Sequence, residues 1–264
     1  MPALKQLQVE QGATFEDAPV PLHYGDVAAE YETARAAVVL VDRSDEGRLE
    51  LGDRDRLTIL NRMSTNAVAE LEPGEGRATV LTTPIGRIID RVILHNLAED
   101  RSLLRTSPGR GAAIADYLRR NIFFRDRMSV REVSGELAHF VLYGPQAGAL
   151  AGHFAPGAEA LALHHVLAVD FEDSALLVVA LDPLDVPGFG LLAVTIDSAV
   201  PVGTPWFADG RRQGTLTSLG RLPDGGWVGL GFVRPEVAEV GRSMTFEPGG
   251  NAVIRRVPGT GRAL

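Results

Sequence analysis

One continuous stretch, residues 41–90, restricts the fold of this chain more than any other part of the sequence. Near its start, the alternating segment Arg48-Leu49-Glu50-Leu51 is typical of a half-buried strand. Gly52-Asp53 then marks a turn, and Leu57, Leu60 and Met63 recur at helical spacing. The pattern predicts a strand followed by a helix over 53–63.

A hairpin is predicted after this helix. Pro73-Gly74 interrupts the chain, and Thr79-Val80-Leu81 opens a strand that turns at Pro84-Ile85-Gly86. A second strand leaves over 87–94 and ends the strand, helix and hairpin unit.

The following residues extend this unit with a strand, a helix and another strand. We predict strands over 102–106 and 128–132, with a helix over 109–120 between them. Ser107 is the expected N-cap of that helix and Pro108 its first residue. The order strand–helix–strand–strand–helix–strand is ferredoxin-like, and we assign it to residues 48–132.

The C-terminal part has a different character. Short strand-like segments alternate with Gly, Pro and Asp-Gly turns, and Asp209-Gly210 is typical of a hairpin. We therefore predict an α+β chain with two domains, residues 1–195 and a small β-barrel over 196–264.

Composition excludes several classes of site. The chain of 264 residues has no cysteine, so disulfides and thiolate metal sites are absent. Its net charge of −8 argues against general binding to nucleic acid or anionic membranes. No apolar run approaches membrane-spanning length, no metal-ligand spacing occurs, and no secretory signal is evident. We expect a cytoplasmic protein, and abundant Ala, Gly and Arg with little Lys suggests a bacterial source.

The ordered motifs resemble those of a known family. Residues 41–90 are similar to the pattern D-x-S-x-x-G-x-L followed by G-x-D-R, T-N-x-V, P-G and G-x-I-I-D of the aminomethyltransferase folate-binding superfamily. This superfamily includes the glycine-cleavage T-protein and the YgfZ-like folate-binding proteins, and Gly86-Arg87-Ile88-Ile89-Asp90 resembles the YgfZ side. Further matches are Leu142-Tyr143-Gly144-Pro145 and, near the C-terminus, Gly231-Phe232-Val233-Arg234. The resemblance implies a ferredoxin-like folate-binding domain of T-protein type, followed by the barrel.

The chain departs from the family pattern in its middle. The family carries about eighty residues more between the two matching blocks, including the K-G-C-Y-x-G-Q-E motif of YgfZ-like proteins, and here Gly188-Phe189-Gly190 leads within a few residues to Thr195. Either this is a naturally shortened member or the segment is missing. If the middle is shortened, a homo-oligomer or a partner protein is expected to cover the apolar surface left behind.

The resemblance also implies a folate site. The T-protein acidic pair G-x-I-x-D-D corresponds to Asp90 followed by Arg91, and the V-N-A segment to Thr106-Ser107. We expect Asp90 to act as the catalytic or orienting carboxylate, with Arg91 beside it as a cation that neutralises it. The other expected contacts to tetrahydrofolate are Tyr24, Asn66, Thr106 and Ser107.

Each of these residues also has a structural interpretation. Asp90 and Arg91 could form a surface face of a strand, and we favour packing for Tyr24 and a helix cap for Thr65-Asn66. The cluster of Arg119, Arg120, Arg125 and Arg127 could meet the glutamate tail of a folate, but a solvated helix end is favoured.

Three functions follow from these expectations. The first is a YgfZ-like tetrahydrofolate-binding protein linked to one-carbon metabolism or iron–sulfur cluster maintenance. The second is folate-dependent aminomethyl or methyl transfer. The third is a non-catalytic scaffold subunit with a degenerate folate pocket.

Overall fold

The chain divides into two compact units, Met1–Pro183 and Leu184–Leu264. The computed structural model describes residues 2–171, 174–181, 191–196, 200–201, 204–221, 225–233, 237–247 and 249–256. The predicted boundary at 195/196 was placed too late, because it falls inside a strand, Leu191–Ile196, that pairs with strands of the second unit.

The first unit contains five α-helices and nine strands in its described residues. The helices are α1 (Pro2–Glu10), α2 (Val27–Ala36), α3 (Arg56–Met63), α4 (Gly111–Arg120) and α5 (Ala147–Phe154), with one 3-10 turn, Ala158–Ala160. The strands are β1 (Val39–Asp42), β2 (Glu46–Gly52), β3 (Gly76–Thr82), β4 (Ile88–Ala98), β5 (Arg101–Pro108), β6 (Ser129–Glu132), β7 (Phe140–Tyr143), β8 (Val166–Phe171) and β9 (Ser174–Val179).

A five-stranded antiparallel sheet in the order β3-β4-β5-β2-β6 forms the centre of the first unit. Four of these strands, β6-β2-β5-β4, have the ferredoxin-like arrangement, and β3 is added at the edge beyond β4. All five strands were predicted, but the assigned strand–helix–strand–strand–helix–strand order has room for only four, because β3, β4 and β5 are three consecutive strands.

Helices α3 and α4 contribute to the same hydrophobic core as the sheet. Ile59 and Leu60 of α3 and Ile114 and Leu118 of α4 are buried because their helical spacing directs them to one face. The other core residues are Leu49, Leu51, Val68, Leu71, Leu81, Val92, Leu94, Leu104, Ala115 and Met128. The apolar side chains of β2, Leu49 and Leu51, therefore point to the side of the sheet that α3 and α4 cover.

Helix α4 begins later than the sequence predicts. Its N-cap is Arg110, which makes no side-chain capping bond, and Pro108 is the last residue of β5. The expected N-cap, Ser107, instead uses its hydroxyl on Asp90, so β5 continues before the chain turns at Gly109, which has a φ of 68°.

Two small sheets complete the first unit. β1 pairs with β7, and β8 pairs with β9, both antiparallel. The N–H of Val166 donates to the Gly74 carbonyl, and the N–H of Gly74 donates to the Asn96 carbonyl. The start of β8 is therefore joined to the loop between α3 and β3, and through it to β4.

The second unit is a closed barrel. Its strands β10 (Leu191–Ile196), β11 (Pro205–Ala208), β12 (Arg211–Arg221), β13 (Trp227–Val233), β14 (Ser243–Phe246) and β15 (Asn251–Arg256) pair in the order β10-β13-β12-β11-β14-β15. β15 also pairs with β10, which closes the ring. Trp206, fully buried, and Phe246 pack with ring centroids 5.9 Å apart in its core.

Candidate functional site

Asp90 is a buried carboxylate at the start of β4, with 6% of its surface exposed. It accepts a hydrogen bond from the Ser107 hydroxyl at 2.5 Å, on Oδ1, and another from the Ser107 backbone N–H at 3.2 Å, on Oδ2. Two donors from one residue therefore fix the orientation of this carboxylate. The structure brings together the two residues that the sequence singled out on neighbouring strands.

The wall of this site is closely packed. Thr106 is buried, and its hydroxyl donates to the Ser107 carbonyl at 3.1 Å. A methyl group on Gly47 would lie 2.3 Å from the Thr106 hydroxyl and 2.4 Å from the Gly111 Cα, so only glycine allows β2, β5 and the start of α4 to approach this closely. Thr106 is therefore part of the close contact between β2, β5 and the start of α4.

Asp90 and Arg91 point to opposite faces of the sheet. Asp90 is opposite Leu81, a core residue, whereas Arg91 is opposite Val80. Because side chains alternate along a strand, Arg91 lies on the face away from α3 and α4. The expectation that Arg91 stands beside Asp90 and neutralises it is therefore wrong.

Tyr24 and Asn66 are held by other parts of the chain. Tyr24 is 41% exposed, and its backbone N–H donates to Glu30 Oε1 at 2.6 Å. Burial and the charges of Asp42 and Glu30 raise the pKa of the Tyr24 phenol, and a hydrogen bond with Gln8, which acts to lower the pKa, only partly offsets them.

Asn66 joins the segment after α3 to β3. Its amide group donates to the Ala78 carbonyl at 2.8 Å and its backbone N–H to the Thr79 hydroxyl at 3.0 Å. Helix α3 ends at the C-cap Ser64, and Asn66 does not have a positive φ, so the predicted left-handed cap is wrong.

A second polar cluster lies between the sheet and the β1–β7 pair, and the sequence did not predict it. Glu46, 4% exposed, has its Oε2 3.2 Å from Arg105 Nε and 3.3 Å from His139 Nδ1. Its Oε1 pairs with Arg43, whose Nη1 donates to the Tyr143 hydroxyl at 2.9 Å. Charged residues that alternate with Leu49 and Leu51 are typical of a solvent-facing side, so this burial could not be predicted from the alternation.

The electrostatics of this cluster favour an ionised Glu46. Burial acts to raise the pKa of Glu46, but the hydrogen bond from His139 and the charges of Arg105 and Arg43 outweigh it and lower the pKa. Since the carboxylate is already matched by these partners, we interpret the cluster as a support that holds β1, β2, β5 and β7 together.

His95 is a buried neutral histidine on the same side of the sheet. It is 2% exposed, and its Nδ1 lies 2.9 Å from the His164 carbonyl, to which the neutral ring donates. Burial lowers its pKa to about 3; the His164 carbonyl opposes the shift and the Arg105 charge adds to it.

Stability is therefore expected to fall with acid through His95. Below pH 6.5 the unfolded chain binds a proton that the folded chain does not, so the unfolding free energy decreases as pH falls from 6.5 towards the folded pKa of about 3. The slope is about 1.4 kcal/mol per pH unit, or about 2 kcal/mol between pH 6.5 and 5. Urea unfolding at several pH values measures it.

The matched control for His95→Gln is His153→Gln, because His153 is exposed. We expect His95→Gln to remove this slope and His153→Gln to leave it. An unchanged slope in His95→Gln would assign the pH dependence to other groups.

An apolar cavity of about 500 Å³ lies in the first unit, between the β1–β7 pair, α5 and β9. Leu40, Phe140, Leu142, Ala151, Leu177 and Val179 are among its lining residues. Leu40 is 60% exposed, and Phe154, also at the cavity, is 42% exposed. Apolar side chains therefore line a recess that is partly open to solvent.

The described part of the chain shows neither a metal site nor a membrane-spanning helix. No group of three or more His, Asp or Glu side chains there could hold a metal ion. None of the described helices is long and apolar enough to cross a membrane.

The fold and the buried carboxylate define a class of α+β protein in which an extended ferredoxin-like unit precedes a small barrel unit. The family model of the GCVT N-terminal domain matches residues 4–181, which is more than half of the chain. The chain belongs to this family, within the folate-binding aminomethyltransferase superfamily.

Individual relatives agree with this assignment. A putative chloroplastic transferase of Arabidopsis thaliana is 31% identical over 54% of this chain and 33% of its own length. An aminomethyltransferase of Chlorobaculum tepidum is 26% identical over 60% of this chain and 44% of its own length. A sarcosine oxidase alpha subunit of Corynebacterium sp. is 33% identical over 44% of this chain and 13% of its own length. The chain thus spans less than half the length of these relatives.

A solved structure has the same fold. The glycine cleavage system aminomethyltransferase T from Bartonella henselae superposes with a TM-score of 0.73 at 19% identity, covering 97% of this chain and 96% of that one. At this identity the likeness supports the fold alone.

Proposed function

We propose that the chain is a YgfZ-like protein that binds a reduced folate, such as tetrahydrofolate, with Asp90 as the carboxylate that orients its amine nitrogen. One observation carries the proposal: Asp90 is buried, and both of its oxygens are held by Ser107. A carboxylate in a poorly solvated position interacts strongly with a cationic or N–H-bearing ligand, because little water competes for it. Membership in a folate-binding superfamily supports the choice of ligand.

Binding without turnover is favoured over transfer by the surroundings of Asp90. The acidic pair of T-proteins corresponds here to Asp90 and Arg91, and Arg91 belongs to the opposite face of β4. The next position of β4 therefore offers Asp90 no second carboxylate, while Ser107 holds Asp90 in a fixed orientation that suits a bound amine. A link to one-carbon metabolism or iron–sulfur cluster maintenance is part of the proposal and rests on the YgfZ-like motifs alone.

Aminomethyl transfer is the second candidate, since curated relatives of the chain are aminomethyltransferases. In this reaction Asp90 would orient the nucleophilic amine of the folate and stabilise positive charge on it. Turnover of an aminomethyl donor with tetrahydrofolate, absent in Asp90→Asn, would select this candidate over binding alone.

Asp90→Asn is expected to weaken tetrahydrofolate binding about 10- to 100-fold, because it removes a charge-assisted hydrogen bond to the ligand. Isothermal titration calorimetry measures the dissociation constant. Asp116→Asn is the matched control, since Asp116 is an exposed α4 residue, and it should bind like the parent chain.

Ser107→Ala extends this experiment. If Ser107 acts by holding Asp90, its loss should weaken binding in the parent chain and change little in the Asp90→Asn background. Absence of tetrahydrofolate binding by the folded parent chain would reject both folate functions and favour the scaffold interpretation.

A further inference from the structure

The turn after α4 exposes two phenylalanines on a well-defined backbone. Phe123 is 66% exposed and Phe124 94% exposed. The Asp126 carboxylate closes the turn, because it accepts from the Phe123 N–H at 3.0 Å and from Arg62 at 2.7 Å. The Asp126 N–H also donates to the Phe123 carbonyl at 2.9 Å. We call residues 123–126 the aromatic tip.

Arginines surround the aromatic tip. The Arg62 guanidinium lies 5.4 Å from the centre of the Phe123 ring, and that of Arg125 lies 5.4 Å from the Phe124 ring. Arg119 and Arg120 form the basic last turn of α4 immediately before it. On a chain of net charge −8, the tip is a locally positive, apolar projection.

The apolar cavity of the first unit has the opposite shape and charge. Its volume of about 500 Å³ is within the range that accommodates a drug-sized molecule, and so has room for phenyl rings. Glu159 is the charged residue among the described residues that line it. The Glu159 side chain is exposed and lies against α5. It is so close to Gly152 of α5 that a Cβ added there would lie 2.7 Å from Glu159 Oε1.

We propose that the aromatic tip of one copy of the chain inserts into the apolar cavity of a second copy, with the arginines of the tip facing Glu159. Exposed phenylalanines in a preformed turn lose little conformational freedom on binding, and aromatic anchors that fill pockets dominate interface energies. The chain itself carries both the apolar recess and the acidic charge that the tip requires. Nucleic acid or an anionic bilayer offers no such preformed recess for the two rings.

The contact is heterologous, because the tip and the cavity are different surfaces of the same unit. Such a contact uses one tip and one cavity per pair and leaves one of each for further copies. The parent chain is therefore expected to form rings or open oligomers whose mass increases with concentration.

Two substitutions test the proposal with little risk to folding. Phe124→Ser removes an anchor that is 94% exposed. Gly148→Leu places a large side chain in the lining of the cavity. The nearest atom to an added Cβ there is the Glu159 Cγ at 4.0 Å, and leucine has a higher helix propensity than glycine. Circular dichroism and thermal unfolding of each variant verify the fold.

Light scattering coupled to size exclusion, over a series of concentrations, gives the mass. We expect each variant alone to associate at least ~30-fold more weakly than the parent chain, since each loses a central anchor. A 1:1 mixture should form a heterodimer, because Gly148→Leu still has its tip and Phe124→Ser still has its cavity. A monomeric parent chain, unchanged association of either folded variant, or a mixture that stays monomeric would each overturn the proposal.

Discussion

Replacing Arg56 by methionine is expected to destabilise the first unit by about 3–5 kcal/mol, because several buried acceptors lose their donor and each one left unsatisfied costs about 1–3 kcal/mol. The guanidinium of Arg56 is fully enclosed and donates to Ser102 Oγ at 2.8 Å, Asn96 Oδ1 at 2.6 Å and the Glu99 carbonyl at 2.5 Å. It also bonds the carbonyls of Asp53 and Ala98. Methionine fills similar space but leaves these acceptors buried without donors.

Urea unfolding followed by circular dichroism measures this effect, and Arg54→Met is the matched control. Arg54 lies two residues before the start of α3, and its side chain is 73% exposed, so its replacement should change the unfolding free energy by about 0.5 kcal/mol or less. A similar small change for Arg56→Met would mean that water replaces the guanidinium at little cost.

Gly76→Ala is the second substitution with a large expected effect, about 3 kcal/mol or more, because the new methyl group would meet fixed backbone. Its Cβ would lie 2.0 Å from the His164 carbonyl oxygen and 2.9 Å from His95 Nδ1. Either β3 or the segment before β8 has to move, and the bond between His95 and the His164 carbonyl is then lost. The unfolding free energy and the imidazole resonances of His95 report the two consequences.

Gly135→Ala provides the control for this steric argument. Gly135 is exposed, an added Cβ there has nothing within 4 Å, and its φ is not positive. It should be neutral or slightly stabilising, since alanine restricts the unfolded chain. Equal losses for both glycine variants would indicate a general intolerance of alanine rather than the contact with His164.

The strands and helices of the first unit were predictable where periodicity was strong. Alternation in β2 and the helical spacing of α3 are local properties, and the ordered motifs around them identified the superfamily. The start of α4 was not predictable in this way. Ser107 and Pro108 have the residue types of a helix start, but the contact of Ser107 with Asp90 is made across strands and is absent from local sequence.

The candidate site was predicted in its residue types but only partly in its geometry. Asp90 and Ser107 contact each other across β4 and β5, and Thr106 bonds the Ser107 carbonyl. The Tyr24 backbone N–H bonds Glu30 and the Asn66 amide bonds β3, and a contact of either side chain with a folate stays a prediction. The Glu46 cluster escaped prediction because burial of both faces of a sheet depends on what packs over it, and here the second cover is the β1–β7 pair.

The alternation of Asp90 and Arg91 along β4 has a consequence for how this family can change in length. Addition or removal of a single residue between Asp90 and Val92 would turn Asp90 to the opposite face of β4, while a pair of added residues would keep it on the side that faces α3 and α4. The turn of the β3–β4 hairpin lies beyond the register shift between Leu81 and Thr82, so a change of length there does not alter which face Asp90 occupies. Natural length variation should therefore accumulate at residues 83–87, and where it enters β4 it should come in even steps.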